Sequence, residues 1–156
     1  KLMTIEFVNG CLLNALDKGE INWAVHCCNC QGKFGPVLAA QIKQRYPKVF
    51  EEYKEALKCF KEDGYEILGQ WQAVRISRTQ GVINIFGQEF YGNSGRYVNY
   101  GAIGSAFYQM RNQYDSKTVI GFPFKFAANN AGGDWSIVLE MIEYYFKDHS
   151  VKIYKL

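Results

Sequence analysis

The stretch His26-Cys27-Cys28-Asn29-Cys30-Gln31-Gly32-Lys33-Phe34-Gly35-Pro36 gathers three of the five cysteines and one of the two histidines of this 156-residue chain. An imidazole near neutral pKa can activate water or protonate a leaving alcohol, which makes His26 a candidate for acid–base chemistry. The amide of Asn29 can hydrogen-bond a sugar hydroxyl through either of its ends. The stretch leaves an apolar run and enters a helical pattern, so backbone N–H groups at the helix start, presented by a Gly-bearing loop, offer an anion or phosphate site. Each of these readings has a plainer counterpart. Gly32 and Gly35 can serve a tight turn that needs positive φ, and His26 can simply hydrogen-bond the sheet edge. Zinc is a third reading of His26, Cys27, Cys28 and Cys30. The spacing lacks a second half-site, and adjacent residues on a strand point to opposite faces, so no metal or cofactor is expected.

A second stretch, Phe124-Lys125-Phe126-Ala127-Ala128-Asn129-Asn130-Ala131-Gly132-Gly133-Asp134-Trp135, also runs from a strand pattern into a helical one. Its N–H groups can meet the same ligand. Asp134 directly precedes the helical pattern and is expected as its N-cap rather than as a catalytic acid. Asn129 and Asn130 suit left-handed turn conformations. His149 sits in a terminal turn and is read as structural.

Around these loops the pattern alternates strand with helix. Strands are expected over Leu2–Val8, Ile21–Cys28, Ile67–Ser77, Val82–Phe86, Thr118–Phe122 and Val151–Tyr154. Ile67–Ser77 and Val82–Phe86 read as an antiparallel pair with a turn near Thr79–Gly81. Helices are expected around Leu12–Leu16, over Val37–Tyr46 (Leu38, Ile42 and Tyr46 share a face), from Pro47 through Phe60, over Val98–Arg111, and from Asp134 to Phe146. Strands alternating with helices imply a largely parallel sheet covered on both faces. Ligands in such sheets bind beyond the carboxyl ends of the strands, which points to the two loops.

The composition fits this picture. The chain is 48% hydrophobic and 21% charged, with a formal charge of +3. That is globular, suits an anionic small ligand, and falls short of the basic stripe of a nucleic-acid binder. No apolar run reaches the ~20 residues of a membrane helix, and Lys1–Val8 reads as a strand rather than a leader. An odd cysteine count, with three crowded into four positions, suggests reduced thiols and a cytoplasmic location. One domain over residues 1–156 is expected.

The run Val25-His26-Cys27-Cys28-Asn29-Cys30-Gln31-Gly32-Lys33-Phe34-Gly35, followed by Arg45-Tyr46-Pro47-Lys48 and Tyr53, resembles the macrodomain family. It is most similar to the branch that processes ADP-ribose-1″-phosphate as a phosphatase. Leu68-Gly69, Ile85-Phe86, Pro123, Gly132, Trp135 and the closing strand extend the resemblance over nearly the whole chain. The resemblance implies a three-layer α/β/α fold with a mixed, mostly parallel sheet, and a ligand of ADP-ribose type. That ligand is ADP-ribose itself, a derivative such as a cyclic nucleotide signal, or an ADP-ribosylated protein.

It also implies a site. His26 would be the catalytic residue, and the ligand would meet Gly10, Cys11, Cys28, Asn29, Gln31, Gly32, Lys33, Phe34, Gly35, Pro36, Val37, Ala128, Asn129, Asn130 and Ala131. Several positions depart from the family. Cys11 stands where many macrodomains have an aspartate that contacts adenine, and Pro36 and Val37 replace glycines that approach the diphosphate. Ala127-Ala128-Asn129-Asn130 replaces a glycine-rich stretch. Gln88 and Ala131 lie near the places of the lysine and aspartate that other branches use to cleave ADP-ribosyl esters. These departures favour a non-catalytic binder as the alternative to a phosphatase.

Overall fold

Apolar residues in strands of period two, joined by amphipathic helices, assemble here into one mixed sheet between two helical layers. The computed structural model describes residues 5–92, 95–129 and 131–156; the candidate Asn130 lies outside them. In chain order the elements are β1 (Ile5–Asn9), α1 (Leu12–Asp17), β2 (Trp23–Asn29), α2 (Leu38–Arg45), α3 (Pro47–Asp63), β3 (Trp71–Arg75), β4 (Gly81–Gln88), α4 (Tyr100–Gln113), β5 (Val119–Pro123), α5 (Trp135–Tyr145) and β6 (Ser150–Lys155). The sheet order is β1-β6-β5-β2-β4-β3, and only the β3–β4 pair is antiparallel. This is the three-layer α/β/α architecture expected.

β2 and β4 form the centre and are buried along nearly their whole lengths. Alternate β2 side chains serve opposite layers, as the pleat dictates. Trp23 and Val25 pack with Ile103, Phe107, Val138 and Ile142 of α4 and α5. Ala24 packs towards α1 and α2, and Cys28 packs against Tyr53 and Leu57 of α3.

Two boundaries moved for identifiable reasons. β3 starts at Trp71 rather than Ile67, because Gly69 (φ +91°) turns the chain there and the N–H of Gln70 donates to the carbonyl of Ile67. α2 starts at Leu38 rather than Val37, since Val37 has φ 61° and ψ −106° and lies outside the helix. Pro47 does open α3, and Asp134 does cap α5, its carboxylate accepting from the N–H of Ser136 at 2.9 Å. Among the described residues no helix is long and apolar enough to cross a membrane.

Candidate ligand-binding site

The carboxyl ends of β2, β4 and β5 are neighbours in the sheet, and the chain leaving each one walls a cleft of about 880 Å³. The first wall is the loop after β2, through Lys33, Phe34, Gly35, Pro36 and Val37 to the start of α2. The second is the loop after β5, with Pro123, Lys125, Phe126, Ala127, Ala128, Asn129 and Ala131. The third is the chain after β4, with Gln88, Tyr91 and Gly92; His26, Cys27, Cys28 and Asn29, from the end of β2, complete the lining. Two lysines and no carboxylate line the cleft among the described residues, so its field is positive.

The first loop is held from behind. The side-chain oxygen of Asn29 accepts from the N–H groups of Gln31 (3.0 Å) and Lys33 (3.4 Å), and its amide nitrogen donates to the carbonyl of Lys33 (2.7 Å). The buried hydroxyl of Tyr53, on α3, lies 2.7 Å from the backbone oxygen and 2.9 Å from the side-chain oxygen of Asn29, and accepts from Gly32 N–H at 3.2 Å. Gly32 has φ +82°, a conformation that a side chain at this turn would strain. Beyond the clamp the chain passes Pro36 and Val37 and enters α2, whose N-cap makes no side-chain hydrogen bond. The first-turn N–H groups of a helix have no intrahelical acceptor. With Val37, Leu38 and Ala39 lining the cleft, that uncapped start opens onto it, an arrangement that suits an anion.

The second loop is anchored by Phe126, which is 2% exposed and meets Phe122 edge-on at 5.3 Å. The residues flanking it, Lys125 (φ 60°) and Ala127 (φ 59°), are left-handed. Together with Val37 they are the only non-glycine residues of positive φ among those described, and all three line the cleft. Such conformations cost about 1–3 kcal/mol each and concentrate at functional sites. The start of α5 differs from that of α2, because Asp134 already occupies it through both the N–H and the hydroxyl of Ser136. Of the two helices that follow the cleft's loops, α2 is therefore the one whose start has no side-chain cap.

The reactive side chains are quiet. His26 is 4% exposed, places Nε2 2.5 Å from the side-chain oxygen of Asn84, and packs edge-on against Phe34. Burial lowers its pKa to about 4 despite the opposing bond to Asn84, so at neutral pH the ring carries no charge. Burial pushes the Cys27 thiol up to about 12 and holds Cys28 well above its ordinary value; neither is a thiolate near neutrality. Among the described residues no group of three His, Cys, Asp or Glu could hold a metal ion. His149 donates to the carbonyl of Tyr114 at 2.7 Å and lies away from the cleft, in its structural role.

Of the residues singled out from sequence, the structure brings together His26, Cys28, Asn29, Lys33, Phe34, Gly35, Pro36, Val37, Ala128, Asn129 and Ala131. Four others do not line the cleft. Gly10 and Cys11 follow β1, which β6 and β5 separate from β2; Gly10 N–H bonds the carbonyl of Lys155, and Cys11 caps α1. The side-chain oxygen of Gln31 accepts from Tyr91 N–H at 3.3 Å, which makes Gln31 a tether between walls, and Gly32 faces Tyr53. Lining residues not expected as ligand contacts include Cys27, Gln88, Tyr91, Lys125 and Ala127. Lys125 was visible as the one cation of the second loop. Gln88 ends β4, and the strand-end rule applied to β4 would have found it.

No protein-family model and no curated protein matches the chain. Solved structures do. A protein of unknown function from Bacteroides thetaiotaomicron superposes with a TM-score of 0.84 at 20% identity over 100% of both chains. The macrodomain of Mycobacterium tuberculosis DarG superposes at 0.75 with 22% identity, over 97% of each chain. Thermosipho africanus DarTG, solved in complex with ADP-ribose, superposes at 0.75 with 17% identity over 96% of this chain and 41% of that one. At these identities the likeness establishes the fold, which is that of the macrodomains.

Proposed function

We propose that this chain is a macrodomain-type module, one unit over residues 1–156, that captures an ADP-ribose-type nucleotide without transforming it. The carrying observation is the cleft: among the described residues it has two lysines, an uncapped helix start and no carboxylate, at the carboxyl ends of three adjacent strands. That arrangement suits a diphosphate, and the fold is shared with a protein solved with ADP-ribose. The site residues are those of the two loops, joined by Gln88, Tyr91 and Lys125. The captured group can be free or attached to a modified protein. Five free thiols fit a reducing compartment such as the cytoplasm.

The phosphatase reading requires a group that activates water or protonates the leaving oxygen. His26 is its candidate, and a neutral, buried ring whose Nε2 is committed to Asn84 is a poor acid at neutral pH. Adding ADP-ribose-1″-phosphate and following phosphate release decides the matter. No release, with a rise in melting temperature on adding ADP-ribose, supports the binder. Release that His26→Ala abolishes would restore the phosphatase.

A further inference from the structure

His26 ends a chain of polar side chains, buried at His26 and Asn84 and half-buried at Gln72, that crosses three strands on one face of the sheet. His26 pairs with Asn84 across β2 and β4, and Asn84 with Gln72 across β4 and β3. Chemistry fixes the direction of every bond in this chain. The backbone carbonyl of Glu52, on α3, can only accept, so the nitrogen of Gln72 donates to it (3.2 Å). The oxygen of Gln72 therefore accepts, and the amide nitrogen of Asn84 donates to it at 2.9 Å. The oxygen of Asn84 is left facing Nε2 of His26, which must carry the proton. Nδ1 is then a bare lone pair on a ring that lines the cleft; among the described residues its one partner is Cys28 Sγ at 3.9 Å, a sulfur that lies nearer to Nε2, at 3.4 Å.

From this we infer that the Gln72–Asn84 chain holds His26 as the Nε2–H tautomer, so that His26 is a hydrogen-bond acceptor at the cleft and selects a hydroxyl or N–H of the ligand. The inference rests on the ligand-capture reading for its ligand, and on the protein alone for its tautomer. A lone pair repels a phosphate oxygen. The ligand's charged part consequently lies by α2, Lys33 and Lys125, and a hydroxyl-bearing part meets His26. Gln72 and Asn84 are positioning residues that act through His26, and Glu52 contributes only its carbonyl.

Nitrogen-15 NMR of the imidazole in the whole chain at neutral pH tests this. The expected ligand-free spectrum is that of the Nε2–H tautomer. ADP-ribose should move Nδ1 in the direction of an accepted hydrogen bond, while inorganic phosphate should leave the ring unmoved and shift the amides at the start of α2. Gln72→Met, on the partly exposed edge strand, frees the Asn84 amide to turn. It should mix the tautomers and weaken ADP-ribose about tenfold, the scale of one lost hydrogen bond. Asn84→Asp should instead produce a doubly protonated ring. An Nδ1–H tautomer in the free protein, or a ring untouched by saturating ADP-ribose, would overturn the inference. Failure of ADP-ribose to bind at all would defeat the capture reading, and the ligand-free tautomer would still decide the relay.

Discussion

Asn29 commits its amide oxygen and one of its two amide N–H groups to the protein. Its type and place in the sequence mark it as a ligand contact whose loss spares the fold, whereas the structure makes it the clamp of the first loop. Asn29→Ala should therefore lower unfolding free energy by about 1–3 kcal/mol, the cost of leaving buried partners unpaired, besides weakening ligand binding. Urea unfolding checks the first effect and would find no change if the amide served the ligand alone. The clamp was illegible because its partner, Tyr53, is 24 residues away on α3. His26 carries a second residue-scale consequence. Its pKa is lowered from 6.5 to about 4 in the fold, so between those values the unfolded chain binds the proton more readily. Stability present above pH 6.5 is lost as pH falls towards 4, by about 3 kcal/mol at 1.36 kcal/mol per unit. Unfolding curves at pH 7, 5.5 and 4.5 should show that slope in the wild type and a shallower one in His26→Gln.

At the scale of elements, the helix starts carry the argument. Asp134 was legible as a cap because a short acidic side chain before a helical pattern has one economical use, and its carboxylate makes that bond. Asp134→Ala should cost about 1 kcal/mol, the usual worth of an N-cap, with ligand affinity unchanged. Val37 was not legible. Nothing in a valine announces positive φ; the branched side chain argues against it, and the position emerges only from how Pro36 and α2 are joined. Val37→Gly should relieve about 1–3 kcal/mol of strain and return about 0.5–1 kcal/mol as glycine's chain entropy. A net gain near 1 kcal/mol in thermal or urea unfolding is the expected result. Glycine substitution inside α2 would have the opposite sign.

For the whole molecule, alternation of strand and helix was enough to expect a cleft at the ends of the strands, and a cleft lies there. The two loops meet because β2 and β5 pair, with Trp23 opposite Ile120. Strand order is a long-range property, and two site features depended on it. Gly10 and Cys11 lie off the cleft because β6 and β5 come between β1 and β2, and the wall after β4 belongs to the cleft because β4 adjoins β2 on its other side. The positive field of the cleft is likewise a sum over loops distant in sequence. Lys33 and Lys125 are exposed, so replacing either with alanine should weaken ADP-ribose only about three- to fivefold, and less at high salt, in keeping with a screened surface charge. The central claim is tested most directly by calorimetric titration of the intact protein with ADP-ribose at low salt. Saturable binding of one nucleotide per chain, weakened in the Lys33→Ala, Lys125→Ala double variant, is the result expected. Absence of heat and of any melting-temperature shift at millimolar ADP-ribose would contradict it.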